Sequence, residues 1–151
     1  MNLILSKDTY NNENIYFGKK ITNNIIPNSY FYNIYYLNDL LYINNVLLQV
    51  TFNNVTICEY FNKFKCCFNQ YDNKQTIQYL KEIETSILNK FDKNLQCDNK
   101  LAEQLNKCEI KINNFSNKKL KHNINKLRIT IKISGVWQND NQTGLIVKFI
   151  V

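Results

Sequence analysis

The side chains best suited to binding chemistry lie in the last 25 residues, where cations alternate with apolar residues. Arg128 and Lys132 belong to this run, and its apolar members are Leu127, Ile129, Ile131 and Ile133. A period of two is typical of a β-strand with one buried face, so both cations are expected on the outer face. Trp137, the only tryptophan, follows shortly after Gly135. A cation beside a flat ring can neutralise a phosphate while the ring stacks on a base.

Two further groups of cations lie upstream of this run. Lys63 and Lys65 project from a predicted strand with Phe61 beside them, and Lys119 and Lys121 lie in a segment from residue 110 to 139 that contains no Asp or Glu. The candidate nucleic-acid-binding residues are therefore Phe61, Lys63, Lys65, Lys119, Lys121, Arg128, Lys132 and Trp137.

Codon bias accounts for part of this basic, aromatic composition. The chain has 151 residues and a formal net charge of +7, and it is rich in Asn, Lys, Ile, Tyr and Phe, which A- and T-rich codons encode. An AT-rich genome would not, however, exclude acids from one region only. The acid-free segment therefore favours a basic surface over a plain solvated face.

Catalytic and cofactor-binding patterns are weak in this sequence. The three glycines stand far apart, so there is no Gly-rich phosphate loop, and the single histidine, His122, lies in a Lys-rich segment. The five cysteines form no C-x-x-C pair, which favours reduced thiols over a zinc site or a disulfide framework. We expect a protein that is not an enzyme and that has no cofactor or metal.

The sequence also predicts a location. No apolar run approaches the roughly 18 residues of a membrane span, and the first eight residues lack the charge order of a signal peptide. We expect no membrane partner and a reducing, intracellular, cytoplasmic environment.

The elements that must position these residues are mainly strands. Residues 30–37 are dense in aromatics and predict one strand, and residues 55–68 predict a long strand that follows a turn at Asn53-Asn54. Apolar residues at three- and four-residue steps from Ile77 to Phe91 predict an amphipathic helix, with Asp72 or Asn73 as its N-cap.

A short second helix within residues 98–107, a strand at 108–112 and the final hairpin complete the pattern. This order is typical of a mainly β (α+β) fold. We predict a five-stranded OB-fold-like barrel with one amphipathic helix inserted between strands, and a single OB-fold-like domain over residues 1–151.

Two stretches carry a family resemblance. Gly135-Val136-Trp137 is followed by a short polar turn, by Gly144-Leu145 and by Lys148. Upstream, residues 41–91 contain a short apolar strand, a turn, a second strand and a helix in that order. In this order of motifs the chain resembles the single-stranded-DNA-binding OB-fold proteins of giant nucleocytoplasmic DNA viruses, some tailed phages and yeast cytoplasmic linear plasmids. The resemblance covers residues 40–92 and 127–151.

That resemblance implies a protein that coats single-stranded DNA without base specificity or catalysis, in the replication of an AT-rich virus or linear plasmid. A replication polymerase or a primase is then a candidate partner, and a homo-oligomer is one option for assembly. The residues leave two other functions open. One is a factor that binds duplex termini, and the other is a structural or adaptor protein whose basic face binds an acidic partner.

Overall fold

A computed structural model describes residues 3–113 and 123–151 of the chain. Short elements near the N-terminus precede the longer strands and the helices. The strands are β1 (Ile4–Leu5), β2 (Ile15–Phe17), β3 (Ile21–Thr22), β4 (Tyr30–Leu37), β5 (Tyr42–Asn44), β6 (Val46–Tyr60), β7 (Lys63–Cys67), β8 (Gln96–Cys97), β9 (Glu109–Asn113), β10 (Asn123–Gln138) and β11 (Gln142–Ile150), and the helices are α1 (Lys74–Phe91) and α2 (Lys100–Asn106).

Five of these strands close into a barrel. β6 pairs with β7, β7 with β9, β9 with β11, β11 with β10, and β10 returns to β6. Only the β9–β11 pair is parallel among these five. The prediction of a mainly β, OB-fold-like barrel is confirmed, because closure leaves each of the five strands with two barrel neighbours.

The alternating pattern of the closing hairpin explains the barrel interior. Leu127, Ile129, Ile131 and Ile133 of β10 are all buried. They face inward beside the buried residues of β6, since Ile129 lies opposite Val50 and Ile131 opposite Leu48. Burying a side chain of this size stabilises the fold by about 1.5–3 kcal/mol. The outer face of β10 is thereby left to its polar and charged residues.

Both helices lie between β7 and β9 in the chain. The sequence predicted a long helix and a short second one, but only one of them was expected as the insertion in the barrel. The apolar stripe of α1 is confirmed as its buried side. Buried Glu84 of α1 accepts hydrogen bonds from the backbone N–H groups of Leu101 (3.1 Å) and Ala102 (2.8 Å), which ties α1 to the first turn of α2. Within the described part of the chain, no helix is long and apolar enough to cross a membrane.

The N-terminal strands extend the barrel sheet rather than forming a second core. β4, whose predicted bounds are confirmed, pairs with the last part of β10, and β2, β3 and β5 pair with β4. β1 adds to β6 in parallel, with Ile4 beside Leu47 and Leu5 beside Leu48. Strands β1 to β5 therefore widen the sheet around β6 and β10.

The predicted turn at Asn53-Asn54 and the predicted continuous strand over 55–68 are both wrong. β6 runs through both asparagines, and the chain reverses instead at Phe61-Asn62. Asn54 has a φ of 51° inside the strand, a conformation that Asn tolerates better than most residues. The Asn73 side chain accepts a hydrogen bond from the backbone N–H of Asn53 and donates one to its carbonyl, which supports the irregular strand locally.

Candidate nucleic-acid interface

Four lysines lie level with one another on the outside of the barrel. Lys65 on β7 is opposite Lys111 on β9, and Lys148 on β11 is opposite Lys132 on β10. The parallel register of Phe149 with Ile112 places Lys148 beside Lys111 when it is continued by one residue. These four residues are called the lysine row. Their strand neighbours Cys66, Ile112, Phe149 and Ile131 are buried, so the four lysines face outward.

The lysine row crosses four neighbouring strands and meets β6 at both ends. Cys58 of β6 lies opposite Lys65, and Leu47 of β6 lies opposite Lys132. Strands in a sheet are about 4.8 Å apart, so the row spans about 14 Å from its first lysine to its last. This is a compact line of positive charge.

Little negative charge compensates the row. Among the described residues the only ion pair to it joins Lys65 Nζ and Glu109 Oε2 at 3.4 Å. Like charges directly opposite one another on a sheet are destabilising. The arrangement therefore lowers the stability of the free barrel, and a bound anion would relieve that cost.

Two exposed aromatic rings lie at the β7 end of the row. The Tyr60 and Phe61 ring centroids are 4.5 Å apart at an interplanar angle of 76°, and Lys65 Nζ lies 4.5 Å from the Tyr60 centroid. The Phe61 side chain is 81% exposed. These rings, unlike most aromatics of the chain, are available for stacking on a ligand.

The backbone at this hairpin tip is strained. Phe61 has a φ of 45° and Asn62 a φ of 59°, the two positive values of a two-residue type I′ turn. Asn suits that conformation, whereas a bulky residue there is an outlier that costs roughly 1–2 kcal/mol. A strained position that also exposes a large apolar ring is typical of a binding site.

A cleft of about 340 Å³ lies between the lysine row and α2. Lys65 and Lys111 of the row line it, together with Lys100, Lys107 and two glutamates, Glu103 and Glu109. Lys100 Nζ is also 3.5 Å from Asp98 Oδ2. This cleft carries mixed charge and continues the positive surface toward α2.

Trp137 lies near the end of β10, beside Gly144 of β11. Its half-buried ring covers Gly144, where an added Cβ would come within 2.5 Å of the indole Nε1, and Lys100 Nζ lies 5.9 Å from the ring centroid. A bulge between Ile133 and Gly135 shifts the register of the strand before Trp137. Arg128 is nine residues away, about 30 Å along an extended strand, so the only Trp and the only Arg are not neighbours.

Arg128 lies on a second part of the outer surface. It is exposed and sits opposite Thr51 on β6, and Lys126 lies opposite Asn53 two residues before it. Lys132 and Arg128 are four residues apart on the same side of β10, about 13 Å. β10 therefore connects the lysine row to a further pair of cations.

Three cysteines lie near the row. Cys58 Sγ and Cys67 Sγ are 3.8 Å apart on the outer face, next to Lys65. Burial, with a smaller effect of Cys67 and Cys58, raises the pKa of the Cys66 thiol to about 12, and burial together with a hydrogen bond to Cys58 raises that of Cys67 to about 11. Thiols with such pKa values stay protonated near neutral pH and are poor nucleophiles.

The structure brings together Phe61, Lys63 and Lys65 at one hairpin and links them through the row to Lys132. Lys119 and Lys121, like His122, lie outside the described residues. Sequence reasoning missed Lys111 and Lys148 as members of one site. Their outward direction could be read from alternation, but their alignment with Lys65 and Lys132 depends on the register between strands.

Neither a metal site nor a similar known protein adds to the description of this surface. In the residues that the structure describes, no group of three or more His, Cys, Asp or Glu side chains is placed to hold a metal ion. No family model, curated protein or solved structure matches the chain.

Proposed function

We propose that this protein binds single-stranded DNA without base specificity, and that it acts by binding rather than by catalysis. The observation that carries the proposal is the lysine row, which lines up four cations on an OB-fold-like barrel and ends beside the exposed Tyr60 and Phe61 rings. Regularly spaced cations bind phosphates whatever the base sequence.

The exposed rings favour single strands over duplex. Bases in a duplex are stacked on one another, whereas an unpaired base can stack on Phe61 while its phosphates contact the lysines. OB-folds commonly bind oligonucleotides on the face of their second and third strands and on the loop between the first and second. Here those are β7, β9 and the Phe61-Asn62 turn.

The resemblance of the closing hairpin to single-strand binders of large DNA viruses, phages and linear plasmids supports the same proposal, and the composition favours an AT-rich virus or linear plasmid. The protein then acts in replication of such an element, with a polymerase or a primase as its partner. The setting is a reducing, cytoplasmic compartment in which the free thiols are retained.

A titration of labelled oligo-dT, followed by fluorescence anisotropy, tests the proposal. Oligo-dT should bind more tightly than a duplex of equal length, and Phe61→Ala should weaken oligo-dT binding by about 1–3 kcal/mol, the usual contribution of one stacked base. Tyr71→Ala is the matched control, because Tyr71 is 90% exposed and takes no part in the row or its hairpin.

The same titration separates the other functions. Tighter binding of duplex ends than of oligo-dT would replace the proposal with a terminus-binding factor. Equal binding of heparin and oligo-dT, with no effect of Phe61→Ala, would indicate an adaptor with a cationic face for an acidic partner.

A further inference from the structure

A second groove lies on the barrel, apart from the lysine row. It has a volume of about 840 Å³, and it lies between α1, the outer face of β6 and the start of β10. Lys126 and Arg128 line it from β10, and Thr76 and Tyr79 line it from α1. We call it the Arg128 groove. Its volume is in the range of sites that hold small ligands.

The groove is positive. Three cations, Lys7, Lys126 and Arg128, line it against one carboxylate, Asp8. Arg128 makes no ion pair or hydrogen bond with any residue that the structure describes. A guanidinium presents donors in a planar fork that matches two oxygens of a phosphate, and this one is free to do so.

Hydrogen bonds fix the walls of the groove in place. The Thr76 hydroxyl donates to the Thr51 carbonyl at 3.2 Å, and Asn73 exchanges hydrogen bonds with the backbone of Asn53 at 2.7 Å and 3.0 Å. These contacts hold the first turn of α1 against β6, opposite Arg128. A site with fixed walls loses less entropy on binding a ligand.

Tyr79 forms part of the lining, and its hydroxyl is buried beneath the groove. Its hydroxyl is buried and has no hydrogen-bond partner among the described residues, which is uncommon for a buried polar atom. Burial, with a smaller effect of Asp8, raises the pKa of Tyr79 to about 12, so the hydroxyl keeps its proton. Lys7 Nζ lies 5.4 Å from the centroid of the same ring.

We propose that the Arg128 groove is a binding site for the phosphate of a nucleotide unit, with Arg128 and Lys126 contacting the phosphate. This inference rests on the proposed function in one respect. The groove lies about 13 Å beyond Lys132 along β10, where it would hold the part of a single strand that leaves the lysine row. The side-chain amides and hydroxyls of the lining, such as Gln49 and Thr51, contact the sugar and base.

The test uses the dinucleotide pTpT as the probe, titrated calorimetrically into the whole protein at low salt. We expect pTpT to bind, thymidine without phosphate not to bind, and Arg128→Gln to weaken pTpT binding at least tenfold. Lys93→Gln removes the same charge at an exposed lysine outside both the groove and the lysine row, and should change the affinity less than twofold. Arg128 and Lys93 are both exposed, so both variants should give the circular dichroism spectrum of the folded protein.

Equal losses for Arg128→Gln and Lys93→Gln, or no binding of pTpT to the unaltered protein, would overturn the groove proposal. A parallel titration with a 20-nucleotide oligo-dT separates the two proposals. If oligo-dT binding depends on Lys111 and not on Arg128, the proposed function stands and the groove fails. If only pTpT binds, through Arg128, the groove stands and single-strand coating fails.

Discussion

The lysine row makes a quantitative prediction about salt. The perturbation is the double substitution Lys111→Gln with Lys148→Gln, which removes the two central cations and leaves Lys65 and Lys132 at the ends. Both residues are exposed and point away from the core, so the barrel should remain folded. Any change in binding should then come from lost charge.

The expected magnitude follows from counterion release. Each phosphate that a protein neutralises on a single strand contributes about −0.7 to the slope of log affinity against log salt. Four row lysines on four phosphates give a contribution of about −2.8, and two give about −1.4. Raising salt fourfold should therefore weaken this part of the binding roughly 50-fold for the unaltered protein and roughly sevenfold for the double variant.

The assay is an anisotropy titration of oligo-dT at several salt concentrations. The control is Lys19→Gln with Lys93→Gln, which lowers the net charge equally but at two exposed lysines outside the row. Its slope should stay close to that of the unaltered protein. If both double variants flatten the slope to the same extent, net charge rather than the row governs binding, and the reasoning is refuted.

Two further predictions concern stability. Gly135→Ala should lower the free energy of unfolding by about 1–3 kcal/mol, because an added Cβ would lie 2.5 Å from the Tyr32 carbonyl oxygen. Denaturant unfolding measures this loss, with Gly18→Ala as the control, because the added Cβ there meets the movable Tyr35 ring. A smaller loss at Gly135 than at Gly18 would contradict the prediction. Glu84 predicts a pH dependence: burial raises its pKa, so between its unfolded pKa of 4.5 and its higher folded pKa the native state binds more protons than the unfolded chain. Stability from this group is therefore fully present below pH 4.5 and is lost as pH rises through the folded pKa, and the difference in unfolding free energy between the unaltered protein and Glu84→Gln should fall over that interval rather than rise.

Elements with a strong periodic pattern could be predicted from the sequence. The buried positions of β10 follow from strict alternation, and the buried side of α1 follows from its three- and four-residue spacing. Both patterns are set by neighbours close in the chain. The closed barrel could be inferred from the number and size of such elements.

The turn between the first two barrel strands could not be predicted in the same way. Asn-Asn pairs favour turns, yet Asn53-Asn54 stays within β6 because Asn73, 20 residues later, hydrogen-bonds to that backbone. The reversal occurs instead at Phe61, a residue type with no preference for positive φ. A tertiary contact thus keeps Asn53-Asn54 in the strand, and the only local turn signal at the observed reversal is Asn62.

The candidate site shows the same division. Which lysines face outward follows from alternation within each strand. Which lysines stand side by side depends on the register of four strands, and a shift of one residue would turn a lysine inward. Lys111 and Lys148 join the site only through that register.

The lysine row follows a helical path around the barrel and does not close into a ring. It leaves β6 at Cys58 and returns to the same strand at Leu47, eleven residues away and about 36 Å along its contour. A polymer bound along the row would thus enter and leave the barrel surface at separated points, and its incoming and outgoing segments would not overlap. One copy of the protein could therefore bind at any internal position of a long strand, and a second copy could bind directly next to it.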